Sequence, residues 1–91
     1  MEALSRFREK LNGLDEQLVD LLGKRFKIIR EVGHFKKANT IPMMQSKRVE
    51  KVKDRCAEMG KKVQLDPDFI RTLYTLIIDE ACRVEDSIMD G

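Results

Sequence analysis

The sequence predicts an all-α fold of three helices, one long, one short and one of medium length, packed against a second copy of itself. Three observations predict it. An apolar repeat in steps of three and four runs from Leu4 to Phe35 without a proline. Pro42 and Gly60 then divide the chain into three segments of helix length. Nowhere does the period-two alternation of a half-buried strand appear.

The first helix is expected over about residues 4 to 38. Leu4, Phe7, Leu11, Leu14, Leu18, Leu21, Ile28, Val32 and Phe35 follow heptad spacing, the pattern of a helix buried along one stripe. Arg25 takes one place in that seam. A guanidinium keeps its charge at ordinary pH, so a seam position demands an anion: a protein carboxylate such as Glu50 or Asp79, or one carried by a ligand. With Leu4 counted as heptad position a, Arg8 and Lys36 both fall at e, beside the seam. A rise of about 1.5 Å per residue separates Arg25 from Lys36 by roughly 16 Å, so their long side chains can close on a small anion from two ends. Arg8 lies roughly 25 Å from Arg25 and reaches the same ligand only from a second, antiparallel chain.

Length supports that second chain. The first helix would run roughly 50 Å, whereas a compact chain of this size has a radius of gyration of only about 12 to 13 Å. Gly13, Gly23 and Gly33 lie off the seam, and each costs about 1 kcal/mol relative to alanine in a helix. The sequence offers no reason for Gly13 and Gly23 beyond a face that bends or lies close to a neighbour. His34, at position c, is expected to be exposed and without a catalytic role.

Periodicity lapses near Ala38, and Pro42 pushes Ile41 to an extended conformation, ending the helix. A loop through Met44 and Gln45 follows, and the Met43-Met44 pair is expected to close over the core or the pocket rather than hold a cofactor. Ser46 is the expected N-cap of a second helix with Val49, Val52, Cys56 and Met59 on one stripe, and Gly60 its expected C-terminal stop. The third helix starts most clearly. Asp66 can cap free amides, and Pro67 suits the first turn because its missing N–H is not needed there. This helix should run to about Met89, with Phe69, Ile70, Leu73, Leu76, Ile77, Ala81, Val84 and Ile88 as its apolar face.

Composition excludes several classes of function. The 18 basic and 16 acidic residues nearly cancel and are spread along the chain, which is no nucleic-acid footprint. Cys56 and Cys82 have neither metal nor redox spacing and read as half-buried free thiols in a reducing compartment. The N-terminal MEALSRF has no apolar run, so neither a signal peptide nor a membrane span is expected, and the expected location is cytoplasmic.

Several of these pieces together resemble a known family. Arg8-Glu9-Lys10, Leu14-Asp15, Leu21-Leu22, Arg25, Val32-Gly33 and Lys36 resemble the first helix of the AroQ-type, all-helical chorismate mutases. Ile41-Pro42 and Arg48 resemble that family's loop and second-helix start. Leu65-Asp66, Phe69-Ile70, Leu73-Tyr74 and Leu76-Ile77-Ile78-Asp79 resemble its third helix. The resemblance covers about residues 3 to 88, within a single domain of residues 1–91. It implies an intertwined homodimer with two shared active sites, and a Claisen rearrangement of chorismate to prephenate without metal or cofactor. Arg8 would come from the partner chain to bind one carboxylate, Arg25 would hold the other end of the dicarboxylate, Arg48 would support the ligand, and Lys36 would face the ether oxygen. Physical chemistry favours the same residue types. Arginine presents paired planar donors to a carboxylate, and lysine aims a compact charge at one atom.

Departures from the family pattern bear on the substrate. Val49 stands where the family places a glutamate that holds the ring hydroxyl, the position near Gln45 lacks an acid, and Ala81 replaces a small hydroxyl residue. Glu85 stands where many bacterial members use a glutamine to donate to the ether oxygen, a role that a glutamate fills only when protonated. The Arg48-Val49 pair is similar to isochorismate-pyruvate lyases, and aminodeoxychorismate mutases are further relatives. A catalytically silent dimerisation or ligand-sensing domain is the alternative of another class. Against it stands the solvation cost of keeping four cations around a cavity.

Overall fold

The computed structural model describes residues 2–42 and 45–90. Its elements are three helices, α1 (Glu2–Asn39), α2 (Ser46–Lys61) and α3 (Pro67–Asp90), and the described residues include no strand. The fold is all-α. The expectation for Met43 and Met44 concerns residues outside those described.

Each helix end has a local cause. At the end of α1, Thr40 adopts a left-handed φ of 55° and Ile41 donates its amide to the Lys36 carbonyl at 2.9 Å, the six-to-one bond of a Schellman ending. Proline therefore follows the stop rather than making it. Ser46 is the first residue of α2 and not its cap, because Gln45 holds the extended N-cap conformation and makes no side-chain capping bond. The expected stop at Gly60 also moves. Gly60 lies inside the last turn, buried, and Gln64 supplies the left-handed residue with φ 64° while Leu65 donates to the Gly60 carbonyl at 2.9 Å. The small residue serves packing: a Cβ at position 60 would meet Ile70 Cγ1 at 2.8 Å, so glycine lets α2 close on α3. Asp66 caps α3 as expected, accepting the Asp68 amide at 2.8 Å through Oδ1.

α3 lies between the other two helices and packs against both. Val52, Cys56 and Ala57 of α2 meet Ile70 and Ile78 of α3 in the core, with Val49, Tyr74 and Cys82 half-buried around them. Ile78 lies outside the expected apolar face of α3. Conversely, Phe69, Leu73 and Leu76 of that expected face are exposed.

The chain is drawn out, at 56 × 26 × 14 Å, with a radius of gyration of 16.6 Å. This exceeds the compact expectation because α1 projects beyond the helix that supports it. Phe7, Leu11, Leu14, Leu18 and Leu21 are each more than half exposed, and in α1 only Gly33 is buried. No helix among the described residues is long and apolar enough to cross a membrane.

Candidate active site

A cavity of about 550 Å³ opens where the C-terminal half of α1 faces α2 and α3. Its walls are largely aliphatic, from Ile28, Ile29 and Val32 of α1, Val49 and Val52 of α2, and Ile78 of α3. Polar groups are set into this lining at a few points, the usual make-up of a small-molecule site. Four are cations: Arg25, Lys36, Arg48 and Arg55. Glu85 is the acid among the lining residues.

Arg25 is half-buried, and its guanidinium lies over the Tyr74 ring, 5.9 Å from the centroid. Its Nη1 is buried without a hydrogen-bond partner among the described residues. Neither Glu50 nor Asp79 forms a salt bridge with it. A buried donor on a permanent cation is costly when unsatisfied, so the position suits a hydrogen-bond acceptor.

At the other end, Lys36 donates from Nζ to Glu85 Oε1 at 2.8 Å, with the two side chains only 16% and 7% exposed. Gly33 makes this approach possible. A Cβ there would stand 3.2 Å from Ile88 Cδ1 and 3.5 Å from Glu85 Cα, so α3 comes up against the helix surface one turn before Lys36. Glu85 thus accepts a hydrogen bond from the lysine as its ion-pair partner.

Two neighbouring groups record this electrostatic setting. Burial, more than anything else, pushes the Cys82 thiol above its ordinary 9.0; the Glu85 and Asp79 carboxylates add to the rise and Lys36 opposes it. Burial likewise raises the Tyr74 phenol above 10.0, followed by its hydrogen bond with Cys56, while Arg25 and Arg55 pull it down.

Arg25, Lys36, Arg48, Val49, Ala81 and Glu85, all singled out in the sequence, line this cavity together with Gln45. Arg8 does not line it. It is exposed near the start of α1, on the projecting part of the helix. The sequence reading gave Arg55, Tyr74 and Cys82 no place in the site. Arg55 was within reach of it, seven residues after Arg48 and so two turns along the same helix face. Nothing in the sequence distinguishes Tyr74 or Cys82 from ordinary core residues of α3. His34 is exposed and does not line the cavity. Among the described residues no cluster of three His, Cys, Asp or Glu side chains suits a metal ion.

Comparison with known proteins supplies further findings. The family described as chorismate mutase type II matches residues 7–86. A protein of Streptomyces venezuelae named 4-amino-4-deoxychorismate mutase is 41% identical over 86 residues, covering 94% of this chain and 84% of that protein. One of the same name from Streptomyces pristinaespiralis is 36% identical over 85 residues, 93% of this chain and 66% of that protein. The bifunctional chorismate mutase/prephenate dehydratase of Escherichia coli K12 is 31% identical over 86 residues, and this chain spans 22% of its length.

Proposed function

This chain belongs to the type II chorismate mutase family, and we propose that it rearranges a chorismate-type dicarboxylate by an intramolecular Claisen reaction, with 4-amino-4-deoxychorismate preferred over chorismate. The observation that carries this reading is the buried, unpartnered Nη1 of Arg25 in a cavity whose other end holds Lys36. A dianion spanning the two ends gives that Arg25 atom its partner and brings the substrate up to Lys36.

In the reaction the ether C–O bond breaks as a C–C bond forms within one molecule, so no atom leaves and no nucleophile is required. The pocket's work is to hold the extended substrate in its compact conformer and to stabilise charge gathering on the ether oxygen. Arg25 and Arg48 fix carboxylates with paired donors. Lys36 is aimed at the ether oxygen, and Glu85 keeps its ammonium in place through the 2.8 Å bond. Aliphatic walls thin the water around that charge and strengthen its effect.

The ring substituent is read near Val49, Gln45 and Ala81. Valine accepts no hydrogen bond, so the glutamate contact to a ring hydroxyl is missing. The Gln45 amide oxygen remains as an acceptor for an amine. Relatives at 41% and 36% identity carry the name of the aminated substrate, against 31% for the Escherichia coli mutase/dehydratase, and this supports the amine. Purified protein supplied separately with 4-amino-4-deoxychorismate, chorismate and isochorismate tests the choice by product identification. The expected result is 4-amino-4-deoxyprephenate, formed with kcat/KM about tenfold or more above that for prephenate, the scale of one polar contact. Equal rates would remove the preference, and salicylate with pyruvate would replace mutase by lyase.

The site is completed by a second copy. The exposed apolar stripe from Phe7 to Leu21 is far longer than a monomer ordinarily leaves uncovered, and Arg8 stands on it. Two antiparallel α1 helices bring the partner's Arg8 towards the end of the cavity opposite Arg25, so that the chain acts as one mutase domain within a homodimer. Sedimentation should return twice the chain mass of 10.6 kDa.

A further inference from the structure

Arg55 is a fourth cation on the cavity wall, and nothing in the reaction as described uses it. It lies two turns along α2 from Arg48, about 10 Å at the helical rise, on the face that also carries Val52 into the cavity. Its neighbour Cys56 is buried with its thiol beside the Tyr74 hydroxyl, and Arg25 lies over the ring of the same tyrosine. Arg25 and Arg55 therefore both stand near one aromatic side chain, at the same end of the pocket. Arg25 is half-buried and Arg55 is exposed, so the first lies within and the second at the rim.

The carboxylates nearest Arg55 in sequence are engaged elsewhere. Asp54 bonds Arg71 at 2.8 Å, and Glu58 bonds Lys61 at 3.0 Å. Lys51, one turn earlier, offers only like charge. No salt bridge involving Arg55 occurs among the described residues. Away from the cavity, Arg6, Arg71 and Arg83 each pair with a carboxylate, while Arg8 and Arg30 form no salt bridge among the described residues. Arg25, Arg48 and Arg55, on the cavity wall, form none there either. Like charges gathered around one cavity repel one another, and an arriving dianion relieves that repulsion.

We propose that Arg55 is a substrate-binding residue that takes from the rim the carboxylate that Arg25 takes from within. This rests on the reading of the cavity as a dicarboxylate site. Two guanidiniums on one carboxylate divide the work by position. The exposed one meets the anion first and strengthens capture, while the buried one fixes its final orientation. Removing Arg55 should therefore weaken binding and slow capture, and leave the bound substrate's rearrangement nearly unchanged.

The test compares wild type, Arg55→Gln and Arg55→Lys with chorismate and 4-amino-4-deoxychorismate as substrates. Arg55→Gln should raise KM about fivefold to tenfold, the scale of one partly exposed charge-assisted contact, with kcat within about twofold of wild type. Arg55→Lys keeps the charge and the helix propensity and should recover most of the loss. The dependence of kcat/KM on salt should become shallower in Arg55→Gln, because one fewer cation steers the dianion. A second arm adds Arg25→Gln alone and with Arg55→Gln. If both arginines hold one carboxylate, the double variant's loss of affinity falls short of the product of the single losses. Unchanged KM and unchanged salt dependence in Arg55→Gln, or losses that simply multiply, would overturn the proposal. Calorimetric binding of chorismate separates this result from the fate of the reaction itself. Wild type that binds chorismate without turnover sinks the mutase reading, while the dissociation constant of Arg55→Gln still decides the role of Arg55. Wild type that neither binds nor converts these substrates sinks both.

Discussion

Replacing Lys36 by methionine separates the structural role of this lysine from the catalytic role proposed for it. The Lys36 and Glu85 side chains are 16% and 7% exposed and meet at 2.8 Å. Loss of the ammonium strands a carboxylate in a buried position, which costs about 3–5 kcal/mol for such a pair. With a urea dependence of about 1–2 kcal/mol per molar for a small domain, the unfolding midpoint should drop by roughly 2 M or more. Catalysis should fall too, by about a hundredfold to a thousandfold, as when a donor to developing oxyanion charge is removed. Adding Glu85→Met to Lys36→Met replaces the ion pair by apolar side chains of similar length. Such exchanges are commonly neutral or stabilising. The double variant should thus regain most of the lost stability and none of the lost activity. Circular dichroism in urea, at one fixed protein concentration because the proposed partner copy would contribute to stability, and a continuous rate assay read the two properties separately. Recovery of activity along with stability would refute the catalytic role of Lys36, and an unshifted midpoint in Lys36→Met would refute the structural one.

Other outcomes follow from particular contacts. Gly60→Ala should destabilise by about 1 kcal/mol in urea unfolding, because overpacking against Ile70 outweighs the gain in helix propensity; Gly23→Ala, with nothing within 4 Å of its new methyl, should stabilise by about the same amount. Cys82, whose thiol is held up first by burial and then by Glu85 and Asp79, should alkylate more slowly than a free thiol at pH 8, and faster in Glu85→Gln. Because the folded value lies above the unfolded one, the stability linked to Cys82 is present below about pH 9 and is lost as pH rises through the folded value; the difference between the unfolding midpoints of wild type and Cys82→Ser should be constant below that range, and wild type should lose stability relative to Cys82→Ser above it. Val49→Glu should raise kcat/KM for chorismate about tenfold by restoring an acceptor for the ring hydroxyl, read by prephenate formation.

Much of this was legible in the sequence, and the reasons are physical. Arg25 interrupts an apolar repeat, and a permanent charge in a seam announces itself; the structure leaves its Nη1 buried and unbonded. Asp66-Pro67 combines two independent helix-start preferences, and α3 begins at Pro67. Gly60 misled because glycine serves both helix stops and close approaches, and only the position of Ile70 distinguishes them. Phe69 and Leu76 were assigned to one buried face, yet a single chain leaves both exposed. A helix with partners on more than one side has no single apolar stripe to read. Arg55 escaped notice because an arginine on a charged helix face resembles a solvated one until its acidic neighbours are seen bound to other cations.

The central claim is that Arg25 of one chain and Arg8 of another serve the same site. Arg8→Ala and Arg25→Ala variants, each nearly inactive alone, are mixed in equal amounts, unfolded in urea and refolded together, and the rate of rearrangement is measured. Half of the dimers are then mixed, each with one site carrying both arginines and one carrying neither, so activity should return to about a quarter of the wild-type value. A mixture no more active than its inactive components would contradict the shared site.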